Sequence, residues 1–111
     1  MKEPKRYTQK GNFFCLPNDI FDHDINPIEF MVLAYLVSKA KRNNQCYPSR
    51  ATIAKKCKIK TLQTVDRYLK SLEDKHYIHK MYRFNHDEKL QLSNIYTIEK
   101  LEYEGRDLHD L

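Results

Sequence analysis

Glycine is scarce in this sequence and long apolar runs are absent. Two Gly and four Pro in 111 residues exclude collagen-like repeats, glycine-rich linkers and low-complexity tracts. With only Gly11 and Gly105 to draw on, a glycine-rich phosphate loop cannot be built. The longest unbroken apolar stretch runs from Phe30 to Val37, far short of the roughly 20 residues a membrane-spanning helix needs. The basic N-terminus is not followed by a long apolar stretch, so no secretory signal is expected. The three cysteines (Cys15, Cys46 and Cys57) are odd in number and lack a C-x-x-C pair. Free thiols in a reducing, cytoplasmic location are the expectation. His76 and His79 stand three apart with no cysteine pair beside them, so no zinc or other metal site is expected. No Ser/His/Asp or Cys/His set stands out, so the chain is expected to be no enzyme, with no catalytic residues and no cofactor.

What the chain does have is a globular composition and a segregated charge. At 41% hydrophobic and 32% charged it reads as a single folded domain, able to bury roughly two-thirds of its unfolded surface. Lys+Arg 20 against Asp+Glu 15 leaves +5, but the charges are not mixed. Residues 1–11 hold four bases against one acid, giving +3; residues 12–38 hold four acids and no base, giving −4. Residues 39–70 hold ten bases against Asp66, giving +9; 71–90 balance to zero, and 91–111 hold two bases against five acids, giving −3. A charge run is usually a solvated face, yet a block of +9 inside a folded segment points to a polyanionic partner.

The order of elements can be read along the chain. Residues 1–11 form a basic arm. Phe13-Phe14-Cys15-Leu16 is an edge strand or an extended piece packed on the core, and Asp19-Ile20-Phe21 makes one helical turn. Asn26 is placed as an N-cap, with Pro27 in the first turn and Glu29 at the capping-box spacing. The helix it opens runs to about Lys41 and is apolar on most of its circumference, which suits a central core position or an oligomer interface. Arg42-Asn43-Asn44-Gln45 turns, and Cys46-Tyr47-Pro48 is short and extended. Ser49 caps a second helix, Arg50 to Lys56, and Thr61 a third, Leu62 to about Lys75. On the third, Val65, Leu69 and Leu72 recur at i, i+4, i+7, with Gln63, Thr64, Arg67, Lys70 and Ser71 opposite. From Ile78 the period changes to strand-like alternation through Phe84. Asn85 to Lys89 turn, and Ser93 to Ile98 return as the second strand of a hairpin. Tyr35, Tyr68, Tyr82 and Tyr96 are expected in the core.

Three helices followed by a hairpin are ordered as in a winged helix-turn-helix, and a helix about 10–12 Å across fits the major groove of B-DNA. Particular residues carry the same resemblance. Cys46 to Cys57, with its Tyr-Pro-Ser lead-in, resembles the family's brace helix; Thr61 to Ile78 resembles its recognition helix and exit; Ser93 to Ile98 resembles the strand that closes the wing. The stretch from Asn12 through the first helix is similar to chains of Gram-positive bacteria, phages and plasmids, among them the N-terminal domains of replication initiators and replisome organisers. The turn between the second and third helices usually carries a glycine near Lys58, and here there is none. The implied fold class is mainly α with a small β-hairpin (α+β): a three-helix core plus wing over 12–98, flanked by the arm 1–11 and an acidic tail 99–111.

The expected partner is therefore double-stranded DNA, bound sequence-specifically with the third helix in the major groove. Gln63, Thr64 and Arg67 would face the groove, while Lys70, with Lys55, Lys56 and Lys58, would supply diffuse charge. Lys60 and Thr61 would meet phosphate at the helix N-terminus, and Ser49 and Arg50 would do so at the start of the brace. Lys80, Arg83 and Lys89 would serve the wing; Lys5 and Arg6 on the arm could reach a minor groove. The role implied is replication initiation, maintenance or transfer, or transcriptional control of a mobile element. A homodimer is expected, with replication or transfer proteins as further partners. Two other readings stay open: a winged helix that binds protein, and a DNA-nicking enzyme using one of the eight tyrosines.

Overall fold

Asn26 opens the first helix as its spacing predicts. Its side chain accepts from the Glu29 amide at 2.8 Å, and Glu29 Oε1 accepts from the Asn26 amide at 3.0 Å. That reciprocal box is worth about 1 kcal/mol. The computed structural model describes residues 13–85 and 90–101, and in it this helix, α1, spans Pro27–Lys39. It stops two residues before the expected end because Ala40 turns extended, with ψ 139°. Ahead of it, Asn18–Asp22 form a 3₁₀ turn that buries Ile20. Phe13 to Leu16 make no strand; Leu16 packs against the core as an irregular segment.

The following elements hold to the expected order. Strand β1 is Gln45–Cys46, helix α2 is Arg50–Lys56, and helix α3 is Leu62–Asp74. Strands β2 (Ile78–Asn85) and β3 (Leu90–Ile98) form the hairpin. Ser49 caps α2 by accepting from the Thr52 amide at 3.1 Å, and Thr61 caps α3 by accepting from Thr64 at 3.2 Å. The sheet has three strands, in the order β1-β3-β2, all antiparallel. β1 joins it by pairing Gln45 with Thr97 and Cys46 with Tyr96. Two residues are too few to show a period, so sequence alone yields only the hairpin.

One core serves helices and sheet together. Val32 and Leu36 of α1, Ile53 of α2, Val65, Leu69 and Leu72 of α3, and Ile78 and Tyr96 of the sheet are all buried in a single cluster. Burying each such aliphatic side chain contributes about 1.5–3 kcal/mol. Tyr35 and Tyr68 pack on its edge and Tyr96 lies inside it. Tyr82 departs from expectation: it is 70% exposed. Among the described residues, none of β2 beyond Ile78 joins that cluster, and the Lys80 ammonium lies over the Tyr82 ring at 5.2 Å from its centroid.

Two further features set the attitude of α3. Glu29 is buried, its side chain only 1% exposed. Besides capping α1, its carboxylate accepts from Ser71 Oγ on α3 and from Lys75 Nζ at 2.8 Å. Burial alone raises the Glu29 pKa. The hydrogen bonds from Lys75, Ser71 and the Asn26 amide outweigh it and hold the carboxyl below its ordinary value. The second feature is the α2–α3 turn, where Lys58 sits at φ 60°. That is left-handed backbone, which glycine adopts freely and a lysine only at a cost. The turn thus keeps the shape a glycine would favour, without the glycine.

Candidate nucleic-acid interface

The exposed side of α3 follows from its buried one. Val65, Leu69 and Leu72 turn into the core, which leaves Gln63, Arg67 and Lys70 exposed on one stripe and Thr64 half-buried beside it. The Arg67 guanidinium lies over the Tyr68 ring, 5.2 Å from its centroid. The ring supports the guanidinium from one side while the residue as a whole stays exposed. Lys70 Nζ stands 3.4 Å from Asp74, an exposed pair one turn apart of little energetic weight.

At the N-terminus of α3, Lys60 and Thr61 are both exposed. The Thr61 hydroxyl is already engaged: it accepts from the Thr64 amide and donates to Thr64 Oγ1 at 2.8 Å. Its role is the cap. Anion affinity at this end would come from the first-turn N–H groups that no intrahelical carbonyl can reach, with the Lys60 charge beside them. Ser49 is likewise a cap, its hydroxyl 2.8 Å from that of Thr52. Arg50 is held in a bidentate pair, its Nε and Nη2 donating to the two oxygens of Asp66 on α3 at 2.7 and 2.6 Å.

The structure brings the starts of both helices to one place. Ser49, Arg50 and Leu62 line an open crevice of about 320 Å³ together with Ser93, Asn94 and Tyr96 of β3. Arg83 on β2 leans over this strand: its Nε donates to the Ser93 carbonyl at 2.7 Å, and its guanidinium stacks on Tyr47, 5.0 Å from the ring centroid. Lys80 is not part of this group. It pairs with Tyr96 across the hairpin but does not line the crevice, and its amide donates to the Glu73 carboxylate, near the end of α3, at 3.3 Å. Its ammonium lies over Tyr82. Lys89, Lys5 and Arg6 lie outside the described residues. Lys55, Lys56 and Lys58 are exposed at the end of α2 and in the turn beyond it, adding cations next to α3.

Sequence reasoning missed two members of this surface. Asp66 is the lone acid of the cationic block, and its placement opposite Arg50 was visible only in charge sign. Tyr47, exposed beneath Arg83, is 36 positions away from it, and no local pattern links the two. Among the described residues, no group of three His, Cys, Asp or Glu side chains could hold a metal ion, and no helix is long and apolar enough to cross a membrane.

The helix-turn-helix domain family matches residues 23–78, from just before α1 to the first residue of β2. The chain belongs to that family. No curated protein and no solved structure matches it. A helix-turn-helix domain points to DNA binding, and the α+β architecture, three helices with a small antiparallel sheet, is compatible with a winged form of it.

Proposed function

We propose that this helix-turn-helix protein binds double-stranded DNA sequence-specifically. In this reading α3 enters the major groove, the β2–β3 hairpin lies along the neighbouring backbone, and the chain acts as a homodimer. The observation that carries the reading is the exposed stripe Gln63, Arg67 and Lys70 on a helix whose other side is locked into the core. Arg is suited to the O6/N7 edge of guanine and Gln to adenine. Lys60, Lys55, Lys56 and Lys58 surround the stripe with charge that draws in phosphate. Arg50 can contribute only by sharing or leaving Asp66. No catalytic step belongs to the proposal. The setting proposed is a plasmid, phage or other mobile element, in replication initiation, maintenance or transfer, or transcriptional control.

Selection of bound duplexes from a random pool tests this directly. The expected result is an enriched motif, which Arg67→Ala weakens in gel-shift titration while the melting curve stays put. No enrichment, with no duplex affinity even at low salt, would overturn the reading in favour of a winged helix that binds protein.

A further inference from the structure

Up to Ser38 the outer side of α1 bears no charge; Lys39, in its last turn, lies over Tyr35. Across Pro27 to Ser38 the sole ionisable acid or base besides Tyr35 is Glu29, and Glu29 is turned inward to α3. Ser38, Pro27 and Met31 lie on the opposite side of the helix from it, by the 100° step of an α-helix. Met31 is 49% exposed and Ile28 is also open to solvent, with Tyr35 half-buried one turn on from Met31. On the other flank Phe21, 82% exposed, stacks on Phe30 with ring centroids 5.9 Å apart. In a chain that is 32% charged, a helix face built this way leaves apolar surface in water that a partner would cover.

The charges at the two ends of the face say which partner. Asp19, Asp22 and Asp24 precede α1, Lys39 ends it, and Lys41 and Arg42 follow, all of them exposed. A second copy laid antiparallel would set the acidic end of each helix against the basic end of the other. The uncharged middle would pair with itself. This is the self-complementarity that a two-fold interface requires. We infer that α1 is the homodimer interface, closed about a two-fold axis by antiparallel packing of Met31, Ile28 and their neighbours on a second copy of this chain.

The placement of α1 relative to α3 fits this assembly, in a step that rests on the DNA-binding reading. Ser71, which meets Glu29 of α1, lies about a quarter-turn round α3 from the stripe Gln63, Arg67 and Lys70. So α1 stands beside α3 and not behind it, and its outer face looks sideways relative to the DNA-facing stripe. Packing two copies there gives the order α3, α1, α1, α3 across the dimer. At 8–10 Å between packed axes, the two α3 helices come to lie up to about 30 Å apart. Successive major grooves on one side of a duplex are about 34 Å apart, a gap that a modest splay of the helices spans. A face of one 13-residue helix widened by Phe21 is smaller than a standard interface, so the association belongs in the weak, micromolar class.

Sedimentation of the full chain across the micromolar range tests the interface without DNA. The expected result is a monomer–dimer equilibrium. Met31→Glu should raise its dissociation constant at least about tenfold and leave unchanged the melting midpoint read on dilute, monomeric protein. Asp22→Lys and Arg42→Asp should each weaken association, and the two together should restore it, because each new charge then faces its opposite on the other copy. A wild-type chain that is monomeric throughout, a Met31→Glu variant that dimerises as before, or a double reversal weaker than either single change would overturn the inference. A monomer that still shifts a duplex removes this interface and leaves the DNA reading standing. A dimer that obeys the charge reversals but ignores every duplex supports the interface and removes the DNA reading instead.

Discussion

Arg50 and Asp66 clasp α2 to α3 through two parallel hydrogen bonds of 2.7 and 2.6 Å. The pair sits at the crevice where both helices begin, and it uses the one acid in a block of ten bases. Both side chains are close to half exposed, so the pair contributes only about 0–1 kcal/mol to stability. Its effect on the surface is larger than its effect on the fold: it cancels a charge where phosphate is expected to approach. Asp66→Ala should therefore tighten non-specific DNA binding. It frees Arg50, and one added phosphate contact steepens the dependence of log K on log salt by roughly 0.9. Fluorescence anisotropy titrations at a series of salt concentrations read that slope. Weaker binding at every salt would show instead that the clasp holds α3 in its binding attitude.

Arg67 and Lys60 should respond differently to truncation. Arg67 lies on the outward stripe of α3, steadied by Tyr68. Arg67→Ala should cost about 1–3 kcal/mol on the selected site and relax preference at one base position. Lys60 flanks the helix start and carries no base-reading geometry. Lys60→Ala should weaken all duplexes alike and flatten the salt slope by roughly 0.9. Parallel titrations with the selected site and a scrambled duplex separate the two behaviours.

Glu29 makes stability depend on pH. Its folded pKa is depressed below the ordinary 4.5, so the stabilisation it gives is fully present above that value. It is lost as pH falls through the lower folded pKa. Lys75, whose pKa its hydrogen bond to Glu29 raises, acts at the opposite end of the scale: its share is present below the ordinary lysine range and lost in strong alkali. Melting midpoints of Glu29→Gln should accordingly fall less steeply than the wild type's on acidification below about pH 4.5. Glu29→Ala at neutral pH should cost about 2 kcal/mol. That is under the 3–5 kcal/mol of a fully buried pair, because Lys75 keeps part of its hydration.

The helices were legible because their signals are local. Asn26 with Glu29, Ser49 with Thr52 and Thr61 with Thr64 are caps that lie within three residues of their partners. The apolar period of Val65, Leu69 and Leu72 singles out the buried side of α3, and the candidate stripe is what remains. Relations across the chain were not legible. Glu29 reads as a capping residue in sequence, and nothing local says that Ser71 and Lys75 will close over it. The two-residue strand β1 needs β3, about 50 residues later, to exist at all. Arg50 was expected at phosphate on helix-start chemistry alone, and its tie to Asp66 depends on how α2 packs on α3. The outward place of Tyr82 depends on where β2 leaves the core, beyond Ile78, and the alternation of β2 itself does not mark that point.

The turn between α2 and α3 offers a gain in stability that leaves the binding stripe untouched. Lys58 is held at φ 60°, where its Cβ crowds the neighbouring carbonyl; a residue other than glycine pays about 1–2 kcal/mol there. Lys58→Gly removes that crowding. Glycine also gives the unfolded chain more freedom, which takes back roughly 0.5–1 kcal/mol. The net expectation is a stabilisation of about 0.5–1 kcal/mol, or a rise of several degrees in melting temperature for a chain of this size. The same change deletes one exposed cation, so duplex affinity should fall slightly while stability rises. Lys58→Ala removes the same charge and keeps the Cβ, so it should match the glycine variant in DNA titrations and fall below it in thermal melts. Equal melting of the two would mean that the turn is not strained at this position.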